Sequence, residues 1–166
     1  AFVGEGRILI SERRGTLRVL EQGILKPVSG VPAIPAIGQG GLMDIALHPG
    51  FSHNRLVYFS HTASLGSATV TAVSRARLVP VHTGTGRTPG WRIEGWTRIL
   101  TLSNRGTNGL HFGSRLIFDA DGFLFVSVGE RFAMQDAQNS ATHAGKTLRV
   151  RADGTIPSDN PWVGQA

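Results

Sequence analysis

Apolar and polar residues alternate in short runs along this chain, and the runs are separated by glycine, proline, aspartate or asparagine. A period of two is the signature of strands that bury one face. Arg7 to Arg13 (RILISER) follows it, Arg13-Arg14-Gly15 turns, and Thr16 to Gly23 (TLRVLEQG) runs back, so a hairpin is predicted. Pro27 to Gly41 reads as a loop of proline and glycine. Leu42 to Pro49 (LMDIALHP) and Arg55 to His61 (RLVYFSH) read as strands on either side of a loop, Gly50 to Asn54. Ala68 to Val81 (ATVTAVSRARLVPV) is rich in β-branched residues and alternates cleanly, as a half-buried strand does. His82 to Gly90 is a polar turn region, and Trp96 to Ser103 is a further strand. Ser114 to Asp119 and Phe123 to Glu130 are joined by Ala120-Asp121-Gly122, a strong hairpin cue. Gly145 to Ile156 repeats the idea, with Asp153-Gly154 at its turn. Only residues 131 to 143 offer a helical stretch, and its pattern is weak.

The sequence is therefore all-β in expectation. A strand pair with a turn recurs at Ile45 to His61 and at Leu116 to Glu130, about 70 residues apart. Short strands with glycine turns suit a sandwich, a barrel or a propeller, and the repeat favours the propeller.

Composition narrows the picture. A chain of 166 residues can bury one real core, and 40% hydrophobic against 17% charged residues is globular rather than disordered. The formal net charge is +6. Only Lys26 and Lys146 are lysines, so 15 of the 17 basic residues are arginines, whose planar forks suit carboxylates and phosphates. They are scattered rather than clustered, which argues against nucleic-acid binding. The absence of cysteine excludes disulfides and thiolate metal sites. No apolar run approaches the roughly 20 residues of a membrane helix, and no signal-peptide pattern is present.

Few residues could carry chemistry. His111 precedes two strand-like runs, and Glu130 ends the second of them. A hairpin brings such ends together, so the carboxylate can reach the imidazole and hold its tautomer. Gln39 lies in GQGGLMD, where flanking glycines let the backbone approach a ligand. Asp119 and Asp121 resemble the start of a calcium loop, with Glu130 at the twelfth position, but a strand between them makes a hairpin turn the better reading. Asp44 and His48 stand four apart on a strand, hence on one face, with no third metal ligand evident. No metal site is expected.

GQGGLMDIALHPGFSHNRLVYFSH, HFGSRLIFDADGFLFVSVGER and GKTLRVRADGTIPSDNPW together resemble the soluble quinoprotein glucose and aldose sugar dehydrogenases, from about Arg7 to Trp162. The resemblance implies a six-bladed β-propeller with pyrroloquinoline quinone (PQQ) near its axis, this chain covering about the first two to three blades. Residues 1–166 are then one partial propeller with no second domain. It implies His111 as the base that takes the proton of an aldose's anomeric hydroxyl, Glu130 as its supporting acid, and Gln39 as a cofactor neighbour. The product would be a lactone. Basic residues that clamp the quinone, and the calcium ligands, are implied by later blades, so the isolated chain should be inactive. Implied partners are the sugar, an electron acceptor and the remainder of the propeller, in a periplasmic or secreted setting. Two other readings stay open: a non-catalytic propeller that binds carbohydrate or protein, and a lactonase-like hydrolase. The latter wants an acidic metal cage, and the chain has only 11 Asp and Glu. Convergence of His111, Glu130 and Gln39 at one end of the sheets favours the enzyme; a His111 on a blade's outer flank favours the binding module.

Overall fold

A computed structural model describes residues 1–81 and 90–163; the turn expected from His82 falls, but for Gly90, outside them. Among the described residues the alternating runs form eleven strands. They are β1 (Phe2–Gly4), β2 (Arg7–Glu12), β3 (Thr16–Glu21), β4 (Ile24–Ser29), β5 (Leu42–Leu47) and β6 (Leu56–Leu65). Then come β7 (Ala68–Val81), β8 (Gly90–Thr101), β9 (Gly113–Phe118), β10 (Leu124–Val128) and β11 (Thr147–Val150). Two of the three predicted hairpins form: Ile10 faces Arg18 between β2 and β3, and Phe125 faces Ile117 between β10 and β9.

Two sheets result. β5 to β8 make an antiparallel meander, and β8 meets β4 in parallel at Val28–Trp91 and Ser29–Arg92. This gives an eight-stranded sheet in the order β1-β2-β3-β4-β8-β7-β6-β5, beside a three-stranded sheet β11-β10-β9. The larger sheet curls until its ends nearly meet. Ser11 Oγ donates to Met43 O at 2.9 Å, and Leu42 N donates to Arg13 O at 3.0 Å, joining β2 to β5. Radially stacked antiparallel meanders of this kind are propeller blades.

β6 lies between two cores. Val57 and Phe59, both fully buried, pack with Leu9, Leu17, Val19 and Leu78 on one face. Tyr58, on the other face, packs with Val73, Leu116, Leu124 and Val126. This corrects the half-buried reading of β7, which is continuously buried from Thr69 to Ser74. Thr69 and Thr71 lie on the face that the loops of the three-stranded sheet cover, and Ser74 lies on the opposite face beside Phe59 and His61. Burial without loss is possible because they are hydrogen-bonded: Ser74 Oγ to His61 Nε2 at 2.8 Å, Thr71 N to Asn104 Oδ1 at 3.0 Å.

Other differences are local. The predicted Pro27–Gly41 loop begins later, because Pro27 and Val28 belong to β4. Pro27 faces Arg18 on one side, and β4 is paired to β8 only from Val28 onward, so the missing N–H costs no ladder bond there. The predicted 50–54 loop contains one helical turn, Phe51–Asn54. Of the 131–143 stretch only Met134–Gln138 is helical, and that as a 3₁₀ turn. Asp153-Gly154 turns the chain as expected, with Arg151 N donating to Thr155 O at 2.8 Å, but no strand follows among the described residues.

Candidate active site

His111 stands on the loop that enters β9, at φ +52°, a left-handed conformation unusual for a side chain with a Cβ. Its main chain is held from two directions. His111 N donates to Gln39 Oε1 at 3.0 Å. His111 O accepts from Arg131 N at 3.3 Å. The β9–β10 register is irregular between Val126 and Val128, and this opens the ribbon where His111 and Glu130 emerge. Gly129 is obligatory at this crossing, since a Cβ there would lie 2.0 Å from His111 O.

The imidazole is fixed as firmly. Glu130 Oε1 bonds His111 Nδ1. The Phe132 ring stacks on it, centroids 4.0 Å apart and planes inclined by 18°. The hydrogen bond from His111 is the main reason the Glu130 carboxyl lies below the usual range for a glutamate. An ionised carboxylate on Nδ1 selects the tautomer with the proton on Nδ1 and leaves Nε2 as a free acceptor. The His111 side chain is 41% exposed, so that lone pair is accessible.

Gln39 is seated by backbone packing. Its N donates to Gly109 O at 2.8 Å. The next residue must be glycine, because a Cβ at Gly40 would meet Thr62 Oγ1 at 2.4 Å and the Phe112 ring at 2.5 Å. With Oε1 engaged by His111, the Gln39 amide NH₂ has no protein acceptor among the described residues and can donate to a ligand.

His111 and Gln39 border a cleft of about 700 Å³ that is also lined by Ser11, Arg13, Asp44 and Arg115, and Glu130 stands behind His111. The sequence-predicted residues His111, Glu130 and Gln39 are thus brought together at one rim. Asp44 and His48 are not. Asp44 Oδ2 accepts from Leu116 N at 2.8 Å and Oδ1 from Arg115 at 3.3 Å, on the cleft. His48 lies past the end of β5, held by Gly50 N and Asn54 at 2.9 Å each and stacked against Tyr58. They do share a face, as expected: Asp44, Ala46 and His48 all turn toward β9 and its core, His48 reaching the Phe118 ring, but each is bonded to separate partners and they form no common site. Asp119 serves its turn, its Oδ1 accepting from Asp121 N at 3.1 Å and Phe123 N at 2.8 Å. Among the described residues no three His, Asp or Glu side chains cluster as metal ligands. Phe132 and the Phe112 ring under Gly40 carry no periodic signal in sequence and were not anticipated; Arg131 was visible only as the end of a Gly-Glu-Arg string.

Comparison with known proteins identifies the lineage. The Glucose / Sorbosone dehydrogenase family matches residues 1–166. The chain belongs to this family. It is 34% identical over 160 residues to aldose sugar dehydrogenase YliI of Escherichia coli, covering 94% of this chain and 41% of that protein. Among solved structures, a glucose dehydrogenase superposes with a TM-score of 0.84 at 37% identity, covering 98% of this chain and 49% of the other. The PQQ-bound form of aldose sugar dehydrogenase from Streptomyces coelicolor superposes with a TM-score of 0.80 at 25% identity, covering 96% of this chain and 45% of that one. The fold is that of these β-propellers, and the chain spans less than half the length of each relative. No helix among the described residues is long and apolar enough to cross a membrane.

Proposed function

We propose that the intact protein is an aldose dehydrogenase that uses PQQ to oxidise the anomeric hydroxyl of a sugar to a lactone, with His111 as its base. The observation that carries this reading is the convergence on His111. Glu130 holds Nδ1, Gln39 holds the main chain, and Nε2 remains open beside a cleft of about 700 Å³. His111 Nε2 accepts the hydroxyl proton, and the Glu130 carboxylate stabilises the imidazolium that forms. PQQ, when bound, supplies a two-electron acceptor for the hydride. The cleft's donor set fits such a group: Gln39 offers a free NH₂, and the guanidinium of Arg115, 79% exposed, lies on the wall with that of Arg13. These donors suit an anionic, planar partner.

The further basic contacts to the quinone, and calcium, belong to residues outside this chain in the same reading. So do the electron acceptor and a periplasmic or secreted setting. The isolated chain is expected to show no saturable micromolar binding of PQQ in equilibrium dialysis with calcium, and such binding would refute that part. In the intact enzyme, His111→Gln should lower dye reduction with glucose by about a hundredfold or more. Turnover at the parent rate would remove His111 as the base.

A further inference from the structure

We infer that Arg131 is the positioning residue of this site: its buried guanidinium fixes the loop that presents His111 to Glu130 and the cleft. The inference rests on the proposed role of His111. Arg131 is only 3% exposed. Nε donates to Leu110 O at 2.7 Å, Nη1 to Thr69 O at 3.2 Å, and Nη2 to Thr69 Oγ1 at 3.1 Å and Gly106 O at 3.3 Å. Cζ lies 3.7 Å from the centre of the Phe112 ring. Its own carbonyl accepts from Asn108 Nδ2 at 3.3 Å. One side chain therefore grips both residues that flank His111, while its main chain bonds His111 itself and the 106–110 segment behind it. Thr69, on β7, is the rigid anchor.

Stability alone does not explain this arrangement. No carboxylate stands within ion-pair reach of Arg131 among the described residues, and an unpaired buried cation is costly. An apolar side chain would fill the space more cheaply. What the guanidinium adds is direction, because its planar fork reaches three separate backbone oxygens, on Thr69, Gly106 and Leu110, which a lysine ammonium cannot span in the same geometry. Arg131 and Phe132 also lie at φ +56° and +66°, two left-handed non-glycine residues in succession. Such strain persists where the surroundings over-determine it. Here it aims Glu130 at the Nδ1 edge of the His111 ring and Phe132 at its face.

The test uses the intact enzyme labelled with ¹⁵N-histidine, the His111 signal being assigned by its loss in His111→Gln. In Arg131→Met, exchange of the His111 Nδ1 proton with solvent should accelerate at least tenfold. The kcat should fall about ten- to a hundredfold, with KM changed less than twofold. Where Arg131→Met does not fold, Arg131→Lys is read in the same way. An unaltered His111 resonance in a folded variant overturns the proposal. So does a moved resonance at the parent kcat when His111→Gln is inactive, and so does failure of both variants to fold. If His111→Gln keeps the parent rate, the base assignment falls, while the resonance still decides whether Arg131 positions the ring.

Discussion

The β6–β7 ribbon and the β9–β10 ribbon are built from the same elements and do opposite work. β6 and β7 pair without interruption through ten residue pairs from Leu56–Arg77 to Leu65–Ala68. Val57 to Ala63 is buried throughout; Ser60 and His61 are hydrogen-bonded inside, whereas Thr62 Oγ1 has no partner among the described residues. β9 and β10 pair regularly only at their turn end. Toward the other end the register breaks, and His111, Ser114, Arg131 and Phe132 all take positive φ. Regular pairing between two cores supplies stability. Broken pairing against that rigid neighbour aims side chains into a cleft, and the strain is tolerated because the neighbour does not yield.

Four changes would break or sharpen the contrast. Phe59→Ala should be the most damaging to the fold, costing about 3–5 kcal/mol, read as a lower urea midpoint. A cost below about 1 kcal/mol would show that β6 is not the central support. Gly129→Ala, which drives a methyl into His111 O, should lower kcat about a hundredfold while moving the thermal midpoint less than Phe59→Ala does. Equal loss of stability from both would erase the division of labour.

The third change is pH. Burial holds His61, on β6, below the usual histidine range, and His48 and His143 are lowered for the same leading reason. The unfolded chain therefore takes up protons that the folded chain refuses. Stability is full above about pH 6.5 and declines as pH falls toward the lowered values. Glu130 is held below the usual glutamate range, so its contribution persists above about pH 4.3 and is lost only as pH falls through its lowered value. The central ribbon should weaken first on acidification, and His61→Asn should flatten the slope in the upper window in urea titrations. An unchanged slope would assign the loss to His48 and His143. The smallest effect is expected for Arg115→Ala. Its bond to Asp44 is exposed on the arginine side, and its removal should cost less than about 1 kcal/mol by denaturant midpoint.

Much of this was legible in the order of residues. Asp121-Gly122 and Asp153-Gly154 mark turns through local chemistry, and Asp119 closes the first of them with its own side chain. Strand alternation located the β2–β3 and β9–β10 hairpins. The pairing of His111 with Glu130, 19 residues apart, followed from reading those runs as one hairpin. Other features were hidden. The full burial of Thr71 depends on a sheet that arrives later in the chain, that of Ser74 on the opposite core, and no period-two pattern reports a second covering layer. Asp44 and His48 share a face, as their spacing implies, but the partners each would take, Leu116 N for one and Asn54 for the other, were set by packing.

Local chemistry thus determined which segments are strands, where they turn, and which imidazole and carboxylate could meet, because backbone preference and side-chain periodicity act over a few residues. Tertiary structure alone decided that Thr69 and Gly106 would receive the Arg131 guanidinium, that Phe132 would stack on His111, and that Gln39 would reach across 72 positions to its main chain. Those contacts join parts of the chain with no common period, and only close packing of one ribbon against another sets their distances.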